Sequence, residues 1–135
     1  EVVKRKRHFI FFDSAYQGFG SDDTFSLRLF AESYPRIMLS QSFSKNFSLY
    51  GERTGCLSLL CSSPSEKETM QSVMKKTCLP YYSNPPIHGA RIVTMILNHP
   101  SMRIEWENEV QGIRERLQNT RSQMAERLQW PHLLK

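Results

Sequence analysis

Three short apolar runs set the main limit on how this 135-residue chain can fold. They lie in the predicted strands 8–12, 36–41 and 55–61, because short apolar runs between turn signals are typical of strands. The first run, Phe9–Phe12, is apolar throughout, as expected of a buried parallel strand. Segments with helical spacing lie before the second run and after the third, and a polar loop joins the second run to the third. The chain is therefore expected to combine helices and strands, as in the α/β class.

The longest predicted helix begins at Pro100 and Ser101. Its apolar side chains recur every three or four residues, which places them on one face. They are Met102, Trp106, Val110, Ile113, Leu117, Thr120, Met124 and Leu128. Roughly 28 residues at ~1.5 Å per residue would span about 42 Å.

Residues 1–7 are predicted to be the end of a helix. Further helices are predicted over 23–32, from Ser63 to about 77, and over 87–98. Ser63 is the expected N-cap of its helix, with Pro64 in the first position and Glu66 closing a capping box. Residues 79–86 contain three prolines and are predicted to form a loop. The apolar side chains of 87–98 are expected to be buried.

The formal charge of +5 includes the run Lys4–Arg7, which raises the possibility of nucleic-acid binding. We favour a solvated helix end, where cations complement the dipole, because the nearby aromatic residues form no exposed stacking pattern. The chain shows no signal or transit pattern and no apolar run of membrane-spanning length. We therefore expect neither a nucleic-acid nor a membrane partner.

The three cysteines fit no zinc-binding spacing, and no metal site is predicted. Cys56 and Cys61 fall in the third predicted strand, where we expect them to pack in the core. Nothing indicates disulfides, which favours a reducing compartment. The expected location is cytoplasmic, with a mitochondrial one left open.

The most informative polar segment is Ser40–Gly55, which places Lys45 on a loop between two predicted strands. A lone lysine is usually a surface residue. Here hydroxyl groups surround it, and Arg53 follows eight positions later. An amine in this setting suits a Schiff base with a phosphorylated aldehyde, whose phosphate the guanidinium and the serine hydroxyls would hold.

Three segments in order resemble the aspartate aminotransferase family, whose members use pyridoxal 5'-phosphate. They are Phe11–Phe19 (FFDSAYQGF), Ser42–Gly55 (SFSKNFSLYGERTG) and Ser83–Ala90 (SNPPIHGA). The resemblance covers essentially the whole chain. It implies that residues 1–100 are part of the large cofactor-binding domain with a mixed sheet, 101–130 the interdomain helix, and 131–135 the start of a truncated small domain. It also implies a homodimer and a longer enzyme, so this piece alone is expected to be inactive.

The resemblance assigns a role to each candidate residue. Lys45 would hold the cofactor and then act as the base and acid of the reaction. Asp13, expected just past the first strand, would keep the ring nitrogen protonated, and Tyr16 would hydrogen-bond the ring's phenolic oxygen. Ser42 and Arg53 would bind the phosphate.

Ser44 is a weaker candidate for the phosphate.

The implied reaction moves an amino group between an L-amino acid, such as aspartate, and a 2-oxo acid. The alternative is a non-catalytic domain that binds a phosphate ligand or a partner.

The sequence departs from the family at Leu79, where an arginine usually pairs with the substrate's side-chain carboxylate from the other subunit. This predicts added acceptance of aromatic or aliphatic amino acids, unless Lys76 or a cation elsewhere does the pairing.

Overall fold

The structure, a computed structural model, describes residues 1–20 and 23–130. This part of the chain contains both the strands and the helices that the sequence predicts, although their bounds differ. In chain order they are α1 (Val2–Lys6), β1 (Ile10–Ser14), α2 (Phe25–Ser33), β2 (Ile37–Ser42), β3 (Gly55–Leu60), α3 (Pro64–Tyr82), α4 (His88–Asn98) and α5 (Pro100–Leu128).

The strands form one mixed sheet in the order β1-β2-β3, which confirms the expected fold class. β1 and β2 run parallel, with Asp13 opposite Ser40. β3 is antiparallel to β2, with Gly55 opposite Ser42. The carboxyl ends of β1 and β2 therefore meet at one edge of the sheet, which is where α/β proteins bind ligands.

The helix α2 covers one face of β1 through aromatic contacts. The Phe12 and Phe30 rings meet edge to face, with centroids 5.6 Å apart. One turn later Tyr34 stacks on Phe30 at 5.4 Å. Phe25 and Leu29 do share a face, as their spacing predicts, but that face is exposed.

The first strand differs from its prediction in position and in burial. It spans Ile10–Ser14 instead of 8–12, so Asp13 lies inside the strand and not just past its end. Ile10 is buried, whereas Phe9 and Phe11 are exposed. Successive side chains in a strand point to opposite faces, and α2 covers only the face that carries Phe12. A continuous apolar run does not reveal this one-sided cover.

The cysteines of the third strand are less buried than predicted. Cys56 is exposed, and Cys61, just past the strand, is half-buried. Leu57, Leu59 and Cys61 line a groove of about 820 Å³ against α3. Cys56 alternates with them and so faces the opposite side of the strand.

The helix α3 starts as predicted and ends later. Ser63 is its N-cap, and its hydroxyl accepts a hydrogen bond from the Glu66 N–H at 3.2 Å. The Glu66 carboxylate, however, accepts from the Ser62 N–H at 2.6 Å and does not close the expected box on Ser63. It also pairs with Arg36 at 2.5 Å, which ties the start of α3 to the start of β2.

The predicted loop 79–86 is wrong over its first half, because α3 continues to Tyr82 with Pro80 inside it. A proline removes one helical hydrogen bond but leaves those on either side intact. Accordingly, the Leu79 carbonyl still accepts from the Ser83 N–H at 3.1 Å.

The helices α4 and α5 pack on each other, and α5 is the predicted long helix. Val93 and Val110 are buried, while Ile92 and Ile96 are half-buried and Leu97 is exposed, so the expected burial of α4 holds only in part. Along α5, Trp106 and Ile113 are half-buried.

The outer members of the α5 stripe, which are Met102, Leu117, Met124 and Leu128, are exposed. The predicted small-domain start at 131–135 lies outside the described residues. In the described part of the chain, no helix has the length and apolar character that a bilayer crossing requires.

Hydrogen bonds from the Ser62 hydroxyl and N–H, together with Arg36, hold the pKa of the Glu66 carboxyl below its ordinary value. A depressed folded-state pKa stabilises the protein above the unfolded pKa, and this contribution disappears as pH falls through the folded pKa. We therefore expect Glu66→Gln to lower Tm by a few degrees at most at neutral pH. The difference in Tm between this variant and the natural protein should disappear in acid. Thermal unfolding of the full-length protein between neutral and acidic pH measures it. Glu68→Gln, an exposed change on the same helix, should show no such closing difference.

Candidate active site

The segment between β2 and β3 forms a loop with a closed neck. The Phe43 N–H donates to the Thr54 carbonyl at 3.1 Å, which extends the strand pairing by one step. Ser42 is the last residue of β2, and Arg53 precedes β3 by two positions. Both predicted phosphate ligands therefore lie beside the neck of the loop.

Lys45 lies in a turn whose backbone is held on both sides. The Ser44 N–H donates to the Ser42 hydroxyl at 3.2 Å, and the Ser48 N–H donates to the Lys45 carbonyl at 3.2 Å. Ser44 is only 4% exposed, so the residue next to the lysine is fixed by burial. The phosphate role of Ser44 stays a prediction.

The structure brings Lys45 and Tyr16 together. The Lys45 Nζ lies 4.9 Å from the centroid of the Tyr16 ring, within the range of a cation–π contact. Tyr16 follows β1 by two positions, and Lys45 follows β2 by three. The two residues thus meet because the parallel strands end at the same edge of the sheet.

Asp13 lies one strand position inside this edge, with its side chain exposed. The Ser40 hydroxyl donates to Asp13 Oδ1 at 2.8 Å across the parallel pair. Asp13 and Tyr16 line a cleft of about 300 Å³ together with Ser14 and Ala15. Ser40 was not singled out from the sequence, because the predicted strand bounds 8–12 and 36–41 do not give the register that pairs it with Asp13.

Two side chains tie the turn after β1 to the Lys45 turn. The Asn46 Nδ2 donates to the Gln17 carbonyl at 3.2 Å, and the Gln41 amide donates to the Gln17 side chain. Gln17 follows Tyr16 directly and Asn46 follows Lys45 directly, whereas Gln41 lies near the end of β2. These contacts fix the relative position of the two turns.

The helix α5 supports the same two turns from behind. The Trp106 indole N–H donates to the Asn46 carbonyl at 2.6 Å, and the Phe47 ring stacks on Trp106 with centroids 4.5 Å apart. Val110 meets the Gly18 turn, where an added Cβ would lie 2.8 Å from Val110 Cγ1. Gly18 also has a φ of 99°, a conformation that favours glycine. The sequence placed Trp106 and Val110 only on an apolar stripe and gave no indication of these contacts.

Arg53 adopts a left-handed backbone conformation, with a φ of 50°. Its guanidinium donates to the Tyr50 carbonyl at 3.1 Å and is otherwise exposed. Ser42 uses its oxygen as an acceptor toward Ser44, which leaves the hydroxyl hydrogen able to donate. The described residues show no hydrogen bond between Ser42 and Arg53.

Together these side chains offer a primary amine, a phenol, a carboxylate and a guanidinium at one edge of the sheet. The amine can attack a carbonyl carbon, and the carboxylate can pair with a protonated nitrogen. The guanidinium and a serine hydroxyl suit a phosphate. Among the described residues, no cluster of three His, Cys, Asp or Glu side chains could hold a metal ion.

Comparison with known proteins gives one consistent result. Residues 1–135 match the model of the family "Aminotransferase class I and II". The chain is 40% identical to the mitochondrial aspartate aminotransferase of Arabidopsis thaliana, over 100% of this chain and 34% of that protein. It therefore spans about a third of the length of such curated relatives.

Solved structures show the same likeness. An aromatic-amino-acid aminotransferase from Burkholderia pseudomallei, covalently bound to pyridoxal phosphate, is 43% identical with a TM-score of 0.90, over 95% of this chain and 33% of that one. The broad specificity aminotransferase from Leishmania mexicana is 40% identical with a TM-score of 0.92, over 98% of this chain and 36% of that one.

The close packing of Gly89 against the loop neck gives a test of the site's geometry. A Cβ at Gly89 would lie 2.0 Å from Thr54 Oγ1 and 3.0 Å from Glu52 Cβ, on both sides of Arg53. We expect Gly89→Ala to destabilise the full-length protein by about 1–3 kcal/mol through overpacking, as measured by urea unfolding. Adding Thr54→Ala should recover part of that loss.

Gly112→Ala is the matched control, because Gly112 is also helical but an added Cβ there would meet nothing within 4 Å. It should be neutral or stabilise the helix by up to about 1 kcal/mol. Equal effects of the two alanine substitutions would contradict the close approach at Gly89.

Proposed function

This chain belongs to the aminotransferase class I and II family, and we propose that the full-length protein transfers an amino group between an L-amino acid and a 2-oxo acid with pyridoxal 5'-phosphate as cofactor. The observation that carries this proposal is the meeting of Lys45 with Tyr16, with 4.9 Å between the Nζ and the ring centroid. Three features support it: the position of this pair at the carboxyl edge of the sheet, the family match over the whole chain, and a similar structure with covalently bound pyridoxal phosphate.

The residues at this edge fit the cofactor group by group. Lys45 supplies the amine for its aldehyde, and Asp13 a carboxylate for its ring nitrogen. Tyr16 supplies a hydroxyl for its phenolic oxygen. The remaining predicted pair, Ser42 and Arg53, would hold its phosphate. When bound, this cofactor supplies an electron sink for the bond to the substrate Cα.

The protein's own part is to position groups and to move a proton. Lys45 would hold the cofactor through its amine, and the same amine, when free, could accept the proton of the substrate Cα at Nζ. The Tyr16 ring lies beside the amine, with 4.9 Å between the Lys45 Nζ and the ring centroid. The hydrogen bond from the Ser40 hydroxyl orients the Asp13 carboxylate.

The proposal extends to the organisation of the whole enzyme. Residues 1–100 belong to the large cofactor-binding domain, 101–130 to the interdomain helix, and 131–135 to the start of the small domain. The enzyme is a homodimer, as the resemblance implies. The compartment is cytoplasmic or mitochondrial, which the three free cysteines of the described chain support.

Replacing Lys45 tests the covalent role directly. In the full-length protein we expect a visible absorption band that borohydride abolishes. Lys45→Ala should lack this band and lose at least about 10³-fold in kcat. It should unfold at nearly the same temperature as the natural protein. Spectra, turnover and thermal unfolding of the two proteins measure this.

Asp13→Asn is the matched comparison, because it keeps the amine. It should keep the borohydride-sensitive band and lose about 10²–10³-fold in kcat. Substantial turnover by Lys45→Ala would contradict the assignment. Absence of any cofactor band in the natural protein would favour a non-catalytic domain that binds a phosphate ligand or partner.

We further propose a substrate range that includes aromatic or aliphatic amino acids. Leu79, which occupies the position where the family resemblance expects an arginine, lies 63% exposed in the last turn of α3. A leucine offers no charge to a substrate carboxylate, but it can contact apolar side chains. Similar structures are described as aromatic or broad specificity aminotransferases, which supports this range. Lys76 lies one helical turn before Leu79 on the same helix and is the alternative cation.

Substrate competition distinguishes these alternatives. Leu79→Arg in the full-length enzyme should raise kcat/KM for aspartate relative to tyrosine by about 10–100-fold, as expected for a hydrogen bond to a charged group. Lys76→Met should leave that ratio unchanged. A selective loss of aspartate activity in Lys76→Met would instead indicate that Lys76 pairs with the substrate's side-chain carboxylate. A strong aspartate preference in the natural enzyme would indicate that Lys76 or a cation elsewhere does so.

A further inference from the structure

We propose that Trp106 of α5 is a positioning residue for Lys45. This inference rests on the proposed role of Lys45. It starts from one hydrogen bond, in which the Trp106 indole N–H donates to the Asn46 carbonyl at 2.6 Å. That carbonyl belongs to the residue immediately after the lysine, so the indole holds the backbone on which the amine is mounted.

A second contact fixes the same turn to the same indole. The Phe47 ring stacks on Trp106 with centroids 4.5 Å apart and planes 15° from parallel. Phe43 then meets Phe47 edge to face at 5.4 Å. The hydrogen bond sets the direction of the Asn46 peptide, and the stack sets the distance of the turn from the helix. Two contacts of different kinds to one side chain leave the turn little freedom to shift or rotate.

The side chain of Asn46 has its own restraint. The Asn46 Nδ2 binds the Gln17 carbonyl at 3.2 Å, and Gln17 follows Tyr16 directly. Asn46 is thus held between α5 on one side and the Tyr16 turn on the other. Losing the indole hydrogen bond would leave the contact to Gln17 as the remaining restraint on Asn46, and the amine would move relative to the Tyr16 ring.

The surroundings of Lys45 also include charge from α5. Glu105 and Glu109 line a cleft of about 290 Å³ beneath the Lys45 turn, together with Trp106. Tyr16 faces the amine from the other side. A change at Trp106 that leaves these groups in place therefore reports on the geometry of the turn and not on a change of nearby charge.

The test uses the full-length holoenzyme and Trp106→Phe, which keeps an aromatic ring for the stack and removes the N–H donor. We expect kcat to fall about 10–100-fold, because misplacing a reacting group by about 1 Å has this effect. KM should change by less than about threefold, since the turn does not bind the substrate directly. The midpoint of the pH-dependent change in the cofactor's visible band should shift by about half a unit or more, because the Lys45 nitrogen changes its position relative to the Tyr16 ring.

Leu117→Ala is the control for a general effect on the helix. Leu117 lies about three turns further along α5, is partly exposed, and its truncation removes packing without touching the Lys45 turn. It should lower Tm and leave both kcat and the spectral midpoint unchanged at temperatures well below unfolding.

An isosteric replacement keeps the test decisive if the phenylalanine variant folds poorly. Substituting 3-benzothienylalanine at position 106 keeps the shape of the indole and lacks the N–H. It should reproduce the losses of Trp106→Phe. An unchanged spectral midpoint in this variant overturns the proposal, even if turnover falls. Absence of a cofactor band in the natural enzyme would instead refute the proposed role of Lys45 itself.

Discussion

The parallel pairing of β1 with β2 is the constraint on which the candidate site depends. It brings two segments more than twenty residues apart to the same edge of the sheet, with Asp13 opposite Ser40. Tyr16 and Lys45 then follow their strands by a few residues and meet there. An antiparallel pairing would place the carboxyl ends of the strands at opposite edges and separate these groups by the length of a strand.

The antiparallel pairing of β2 with β3 serves a different purpose. It returns the chain to the same edge, so that Ser42 and Arg53 border one loop neck and Lys45 lies within that loop. The neck is packed closely from outside by the start of α4, where only a glycine fits. The guanidinium of Arg53 and the amine of Lys45 are thus carried by one short segment, which the β2–β3 pairing and the start of α4 hold in place.

The sequence predicted the class of fold and most of the strands and helices, because each leaves a local pattern, while the site residues stay a prediction. Apolar runs indicate strands, and the resemblance named Asp13, Tyr16 and Lys45. Local patterns could not give the end of α3, since Pro80 is tolerated there once the flanking bonds are kept. Nor could they give the burial of Phe11 or Cys56, which depends on the face that a neighbouring element covers. The support from Trp106 was missed for the same reason, as a stripe on a helix does not specify its partner.

The bond between Trp106 and Asn46 has a consequence for how the enzyme is made. Its partners lie 60 positions apart in the chain. At about 5–20 residues per second, the ribosome adds the indole roughly 3–12 seconds after the lysine turn. Contacts of this range also form late in folding, because a long loop must close first. The newly made strand edge therefore exists for some time without its final lysine geometry, and we expect binding of the proposed cofactor to wait until α5 has been made.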